Sequence, residues 1–81
     1  MNEEKRLAND AAKEIRSTSN EANVSRIINR YLINVRAAGL IENAFINYLS
    51  QSLGLIGEAQ TPDQTLKNTM AALAILQGGK K

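Results

Sequence analysis

Apolar residues recur along this chain at intervals of three and four, the spacing of one face of an α-helix. The most regular stripe lies in 24–38 and consists of Val24, Ile27, Ile28, Tyr31, Leu32, Val35 and Ala38. A second stripe in 41–53 consists of Ile41, Ala44, Phe45, Tyr48 and Leu49. The alternating pattern of a β-strand is absent from the sequence. We therefore predict an all-α fold, a small bundle of three to four helices at approximately 3–16, 21–38, 41–53 and 62–77.

Gly39 separates the two stripes. Glycine adopts the left-handed conformation that closes many helices, so the pattern favours a corner at this residue. The alternative is one long helix over 24–53 that tolerates an internal glycine at a cost of ~1 kcal/mol. No Ser, Thr, Asp or Asn occupies 39–41, so a helix that starts there lacks an obvious N-cap.

The first helix is predicted from propensity, and its apolar face is thin. That face consists of Leu7, Ala8, Ala11, Ala12 and Ile15. Since only two of these side chains are large, we expect the helix to dock weakly or to fray at its start. Ser19 or Asn20 is expected to cap the helix that follows.

The last helix has the clearest start signal in the chain. Thr61 suits the N-cap, Pro62 suits the first helical position, and Gln64 completes a capping box. One face is predicted to contain Leu66, Met70, Leu73, Ala74 and Gln77, and Gly78-Gly79 ends the helix. Before it, Leu55 and Ile56 are expected to tuck into the core from a loop. The whole chain, 1–81, is interpreted as one helical domain that frays at 1–6 and 78–81.

Composition points to assembly as a source of stability. A domain of 81 residues buries only ~60% of its unfolded surface, which leaves it marginally stable. The chain has no Cys and no His, so disulfides and the usual zinc sites cannot help, and oligomerisation is the common remaining device. The missing cysteines, a charged N-terminal segment and the lack of a long apolar run predict a cytoplasmic protein without a membrane span.

Catalysis has little support in the sequence. The commonest general base and the commonest thiol nucleophile are both missing, and no spacing pairs the carboxylates. Gly54 and Gly57 lack the lysine and the strand of a phosphate-binding loop. We therefore expect no enzymatic activity, no cofactor, no metal site and no small-molecule substrate.

A protein interface is the primary functional hypothesis. Between Ala37 and Gly57 the only charged residue is Glu42, and apolar side chains lie on two sides of the second stripe. Charge depletion of this kind is typical of interface cores. We predict that the interface contains Ile33, Ile46, Tyr48 and Leu53, that Ile46 and Leu53 are exposed in the isolated monomer, and that the partner is either a second copy or a larger complex.

Nucleic-acid binding is the alternative hypothesis. Arg26, Arg30 and Arg36 project from the helix on the side away from the buried stripe, and no acidic residue lies between Glu21 and Glu42. Three guanidinium groups on one helix can follow phosphates.

Three short segments resemble known families. NEANVSRIINR, at 20–30, resembles the recognition helix of the lac repressor and catabolite activator families of helix-turn-helix regulators. RYLINVRAAGLIENAFINYL, at 30–49, is similar to a motif in the small helical subunits of type III CRISPR effector complexes. Ile28-Asn29-Arg30 and Leu55-Ile56-Gly57 resemble immunity proteins against class II bacteriocins. Because the three families are unrelated, the likenesses indicate generic amphipathic helix, and no functional residue is carried over from any of them.

Overall fold

The computed structural model describes residues 2–54 and 62–78. Within these two stretches the chain forms four α-helices and one 3₁₀ turn, and it contains no β-strand. The helices are α1 (Glu3–Ser17), α2 (Val24–Ala37), α3 (Glu42–Leu53) and α4 (Asp63–Gly78), and the 3₁₀ turn Glu21–Asn23 leads into α2. The predicted all-α bundle is confirmed. Within the described residues, no helix is long and apolar enough to cross a bilayer.

Gly39 turns the corner between α2 and α3. Its φ angle is 72°, in the left-handed region, and it is the one described residue with a positive φ. The Gly39 amide donates to the carbonyl of Arg36 (3.1 Å), and the Leu40 amide donates to that of Val35 (3.0 Å). These two hydrogen bonds form the Schellman closure of a helix C-terminus. The alternative of one continuous helix over 24–53 is therefore wrong.

α1 packs against each of the three other helices, most extensively against α3. Its inner face consists of Ala8, Ala11, Ala12 and Ile15, all of which are fully buried. The expectation that this thin face docks weakly is not met. Small side chains allow helix axes to approach closely, and a buried alanine loses no side-chain rotamer entropy. The alanine face thus suits α1 to the centre of the bundle.

α1 also caps both ends of α3. At the start of α3, a carboxylate oxygen of Glu4 accepts from the backbone amide of Ile41 (3.1 Å). At the end, the guanidinium of Arg16 donates to the carbonyl of Ser52 (3.3 Å). The two helices therefore run side by side in the same direction. Ile41 provides no side-chain cap, so α1 satisfies from a distance the terminal groups that the local sequence leaves unpaired.

α4 buries a different face from the one its apolar residues predict. The buried residues are Asn68, Thr69, Ala72 and Leu76, whereas Met70, Ala74 and Gln77 are exposed. The cause lies at the end of α1, where carbonyl groups need donors. The Asn68 amide donates to the carbonyl of Thr18 (2.9 Å), and the Thr65 hydroxyl donates to that of Arg16 (3.2 Å). Asn68 and Thr65 thus face inward because the end of α1 supplies their acceptors.

The remaining predictions have mixed outcomes. Asn20 accepts from the amide of Ala22 (2.8 Å) and so caps the 3₁₀ turn ahead of α2, as expected. Asn2 caps α1 by accepting from the amide of Lys5 (3.2 Å). The expected burial of Leu55 and Ile56, the Thr61 cap and the tail 79–81 lie outside the described residues. Fraying of the chain ends stays a prediction.

Candidate protein-binding groove

An open groove of about 740 Å³ runs between α2 and α3 and has the C-terminal part of α4 beneath it. Its apolar lining consists of Ile28, Leu32, Ile46, Ile75 and Leu76. α1 fills the space among the same three helices on the other side and contributes no residue to the groove. Of all pairs of α-helices in the bundle, α2 and α3 contact each other least. The groove therefore exists because the two helices diverge from the Gly39 corner.

The rim of the groove is polar. Asn29 of α2 and Asn43 and Asn47 of α3 line it. At the end near the corner, the Arg36 guanidinium donates to the Glu42 carboxylate at 2.7 Å, so the two charged residues of the described lining neutralise each other. Among the described residues, no side-chain hydrogen bond engages the three asparagines. An asparagine side-chain amide can both donate and accept a hydrogen bond.

The groove borders an extended surface without charged residues. Neither 43–54 of α3 nor 68–78 of α4 contains an Asp, Glu, Lys or Arg. On this surface, which we call the uncharged side, Met70 is 69% exposed and Ile75 is 38% exposed. Depletion of charge and exposure of large apolar side chains together are typical of protein interfaces.

Leu53 corrects the predicted interface. It is only 1% exposed and belongs to the core, so the expectation that it is accessible in the monomer is wrong. Phe45, Leu49 and Leu53 follow an i, i+4, i+8 ridge, whose directions span only about 80° around the helix axis at 100° per residue. That ridge fits within the face that α3 buries. The apolar side that Ile46 and Leu53 were predicted to form on α3 is therefore the edge of its buried face.

The other three predicted interface residues lie in different places. Ile46 lines the groove and is partly buried against the core, not exposed as predicted. Tyr48 lies on the opposite margin of α3, about 160° away around the helix at 100° per residue, where its hydroxyl contacts the side chain of Asn2 at 3.4 Å. Ile33 is 61% exposed on α2, about 40° beyond Asn29 on the groove rim. The structure thus places Ile46 in the groove, Ile33 beside it and Tyr48 against α1.

The three arginines of the alternative hypothesis do not form one surface. Arg26 and Arg30 line a second, smaller groove of about 400 Å³ beside the end of α1, together with Glu14. Arg36 lines the first groove and is paired with Glu42. Arg30 forms an ion pair with Glu14, and its guanidinium lies 5.5 Å from the centre of the Tyr31 ring. Two of the three guanidiniums already bind carboxylates, which lowers the positive potential available to a phosphate.

The Glu14 pair shows a charge effect that the local sequence does not reveal. The hydrogen bond from Arg30 lowers the pKa of Glu14, and the same contact raises the pKa of Arg30. Burial raises the pKa of the Tyr31 hydroxyl, with a further contribution from Glu14. Glu14 lies sixteen positions before Arg30, so the absence of acidic residues between Glu21 and Glu42 in the sequence gave no sign of this ion pair.

The residues of α4 are the main omission of the sequence interpretation. Met70, Ile75 and Leu76 were not assigned to any site, although the charge-free run 68–78 is visible in the sequence. This run has the same property that pointed to the segment 37–57. The sequence does not show that the segments 37–57 and 68–78 lie on one surface, because 20 or more residues separate the groove-lining positions of α3 from those of α4. Only the folded structure brings them together.

Comparison with known proteins gives no further guide to the site. No protein-family model matches the chain, and searches of curated proteins and of solved structures found no significant match.

Proposed function

We propose that this protein is a non-enzymatic helical binding protein that holds an apolar helix of another protein chain in the groove between α2, α3 and α4. The observation that carries the proposal is the groove itself, an apolar channel in whose described lining the two charged residues, Arg36 and Glu42, pair with each other. Helix-in-groove recognition uses this geometry, with anchors at i, i+3, i+4 and i+7 of the bound helix.

The shape of the bundle supports a helix as the occupant. α1 contacts α2, α3 and α4 from one side, and an incoming helix would contact the same three helices from the other. Ile28 and Leu76, nearly buried at the base of the groove, and Ile46 on its wall provide an aliphatic surface. Such a surface packs against Leu, Ile or Ala side chains at ordinary interaxial distances of about 8–10 Å.

Charge restricts the face that the partner presents. Because Arg36 and Glu42 neutralise each other and the remaining polar lining is asparagine, the described residues of the groove offer no unpaired ion to a charged ligand. A buried charge on the partner would lose its hydration without gaining an opposite charge. We therefore expect the contacting face of the partner helix to be apolar, with uncharged polar residues such as Gln, Asn or Ser opposite the asparagines.

A display library of amphipathic helices about 20 residues long, with a randomised apolar face, tests the proposal. We expect the library to yield binders. In NMR spectra of the labelled protein, the amide shift changes that these binders cause should concentrate on Ile28, Leu32, Ile46 and Ile75. Asn47→Glu places a charge on the rim and should weaken these binders about tenfold or more, since a desolvated unpaired charge costs more than 1.4 kcal/mol.

Asn34→Glu is the matched control, because Asn34 is an exposed residue of α2 outside the groove lining. It should leave binding unchanged. Recovery of no binder, or of binders that map only to α1 or to the second groove, would overturn the proposal. Equal sensitivity to the two substitutions would do the same.

A further inference from the structure

The second groove, beside the end of α1, contains a guanidinium that is held in place without being neutralised. The Arg26 guanidinium donates to the side-chain oxygen of Asn23 (3.2 Å). The amide nitrogen of Asn23 donates in turn to the Thr18 hydroxyl (3.0 Å), which fixes the orientation of the asparagine. Within the described parts of the chain, Arg26 forms no ion pair with a carboxylate. A neutral acceptor therefore positions Arg26 and leaves its positive charge uncompensated.

Arg30 adds a second oriented guanidinium to the same groove. It lies one turn after Arg26 on α2, at a Cβ separation of about 5–6 Å. The ion pair with Glu14 and the face of the Tyr31 ring, 5.5 Å away, hold its side chain. The charged groups of the described lining are thus two guanidiniums and one carboxylate, which leaves one positive charge in a groove of about 400 Å³.

We propose that this second groove binds a ligand that carries a single carboxylate on an apolar body. The two oxygens of a carboxylate match the planar fork of a guanidinium, and its one negative charge balances the excess charge of the groove. A phosphate monoester carries about 1.5–2 negative charges near neutral pH, and its second charge would be repelled by Glu14. Ile27, which is partly buried in the lining, offers an aliphatic surface to the body of the ligand.

The two grooves lie on opposite flanks of α2. Arg26 and Arg30 of the second groove are each about 160° around the helix, at 100° per residue, from Ile28 and Leu32 of the first. A helix bound in the first groove would not cover the second. The carboxylate site and the proposed helix-binding function can therefore fail independently.

A titration with benzoate, followed by NMR on the labelled protein at constant ionic strength, tests the proposal. We expect saturable shifts of the Arg26 side-chain Nε–H signal and of the backbone amides of Asn23 and Ile27, with a Kd of about 10 mM or lower for a ligand of this size. Benzamide has nearly the same shape without the charge and should bind about tenfold more weakly or worse. Phenyl phosphate should also bind more weakly than benzoate.

Substitutions identify the groups responsible. Arg26→Gln should weaken benzoate binding about tenfold or more, and Arg26→Lys, which keeps the charge but loses the fork, should weaken it less. Arg6→Gln is the matched control, because it makes the same charge change on an exposed part of α1 outside the groove and should change the Kd less than about twofold. Glu14→Gln should raise the affinity for phenyl phosphate relative to benzoate, because it removes the repelling charge.

Arg26 is exposed, so the spectra of its variants should show an unchanged fold. Four results would overturn the proposal. They are the absence of saturable shifts, equal binding of benzamide and benzoate, tighter binding of phenyl phosphate than of benzoate by the unmodified chain, and a folded Arg26→Gln variant that binds benzoate as well as the control does.

Discussion

The two sides of this bundle use polar residues in opposite ways. On the side formed by α1 and α2, charged side chains are frequent and several bind within the chain, as in the pairs Arg6–Glu3 and Arg30–Glu14. On the uncharged side, 43–54 and 68–78 have no ionisable Asp, Glu, Lys or Arg, and Met70 and Ile75 are exposed. The comparison shows that charged side chains on the first side bind one another within the chain. The groove that we propose for binding borders the uncharged side.

The same contrast appears within α4. Its N-terminal part carries Asp63 and Lys67, whereas the rest of the helix buries the polar residues Asn68 and Thr69 and exposes apolar residues such as Met70. In an ordinary surface helix the arrangement is the reverse. The buried amide of Asn68 has partners on both sides, since it donates to Thr18 and accepts from Gln64 (3.0 Å). α4 thus lacks the usual separation of apolar and polar faces, and its inward-facing polar residues contact the end of α1 instead.

Replacement of Asn68 should produce the largest of the expected stability effects. Asn68→Ala leaves the Thr18 carbonyl without its donor in a partly buried position, which costs about 1–3 kcal/mol of unfolding free energy. Met70→Ala, two residues away on the exposed face, should change that free energy by about 0.5 kcal/mol or less. Urea denaturation measures both. Similar losses for the two variants would contradict the orientation of α4.

Removal of the remote cap on α3 should have an intermediate effect. Glu4→Ala removes the acceptor for the Ile41 amide and should lower the unfolding free energy by about 0.5–2 kcal/mol, as the loss of an N-cap does. Glu3→Ala is the control, because Glu3 pairs only with Arg6 on the surface of the same helix. Its effect should be clearly smaller. If Glu3→Ala proved the more damaging of the two in thermal unfolding, the capping role of Glu4 would be excluded.

The smallest effect should come from the ion pair on the charged side. Since the folded-state pKa of Glu14 is lowered, the pair stabilises the fold above the ordinary Glu pKa, and this contribution is lost as the pH falls through the lower folded value. Arg30→Gln should therefore reduce the loss of melting temperature between about pH 6 and pH 3. Above that range its effect should be small, because exposed pairs contribute little. A steeper acid dependence in the variant would contradict this account.

The sequence predicts much of this fold because periodicity and helix-end chemistry are local. The stripe Val24, Ile28 and Val35 is buried as expected, and Gly39 closes α2 with the conformation that glycine favours. Each predicted helix agrees with the structure to within three residues at either end. These features depend on residues within one or two helical turns of one another, which a pattern can detect.

Other features required the packed structure. The second half of α4 is apolar nearly all round, so its pattern cannot identify the buried face, and acceptors at the end of α1 determine the orientation instead. The predicted exposure of Leu53 failed because a run of apolar residues does not show how wide an arc the neighbouring helix covers. Ile46 was predicted to be exposed but is partly buried, and its neighbours in the groove come from three helices.

The contacts of α1 with both ends of α3 also bear on how the molecule can be divided. Glu4 and Arg16 satisfy groups of a helix more than thirty positions further along the chain, so residues after the exposed turn at Ser19 cannot form the same bundle without those before it. A cut at Ser19 would yield a short peptide and a longer fragment whose association rebuilds the bundle. When the two fragments are mixed, the association of α1 with the other three helices could then be measured directly.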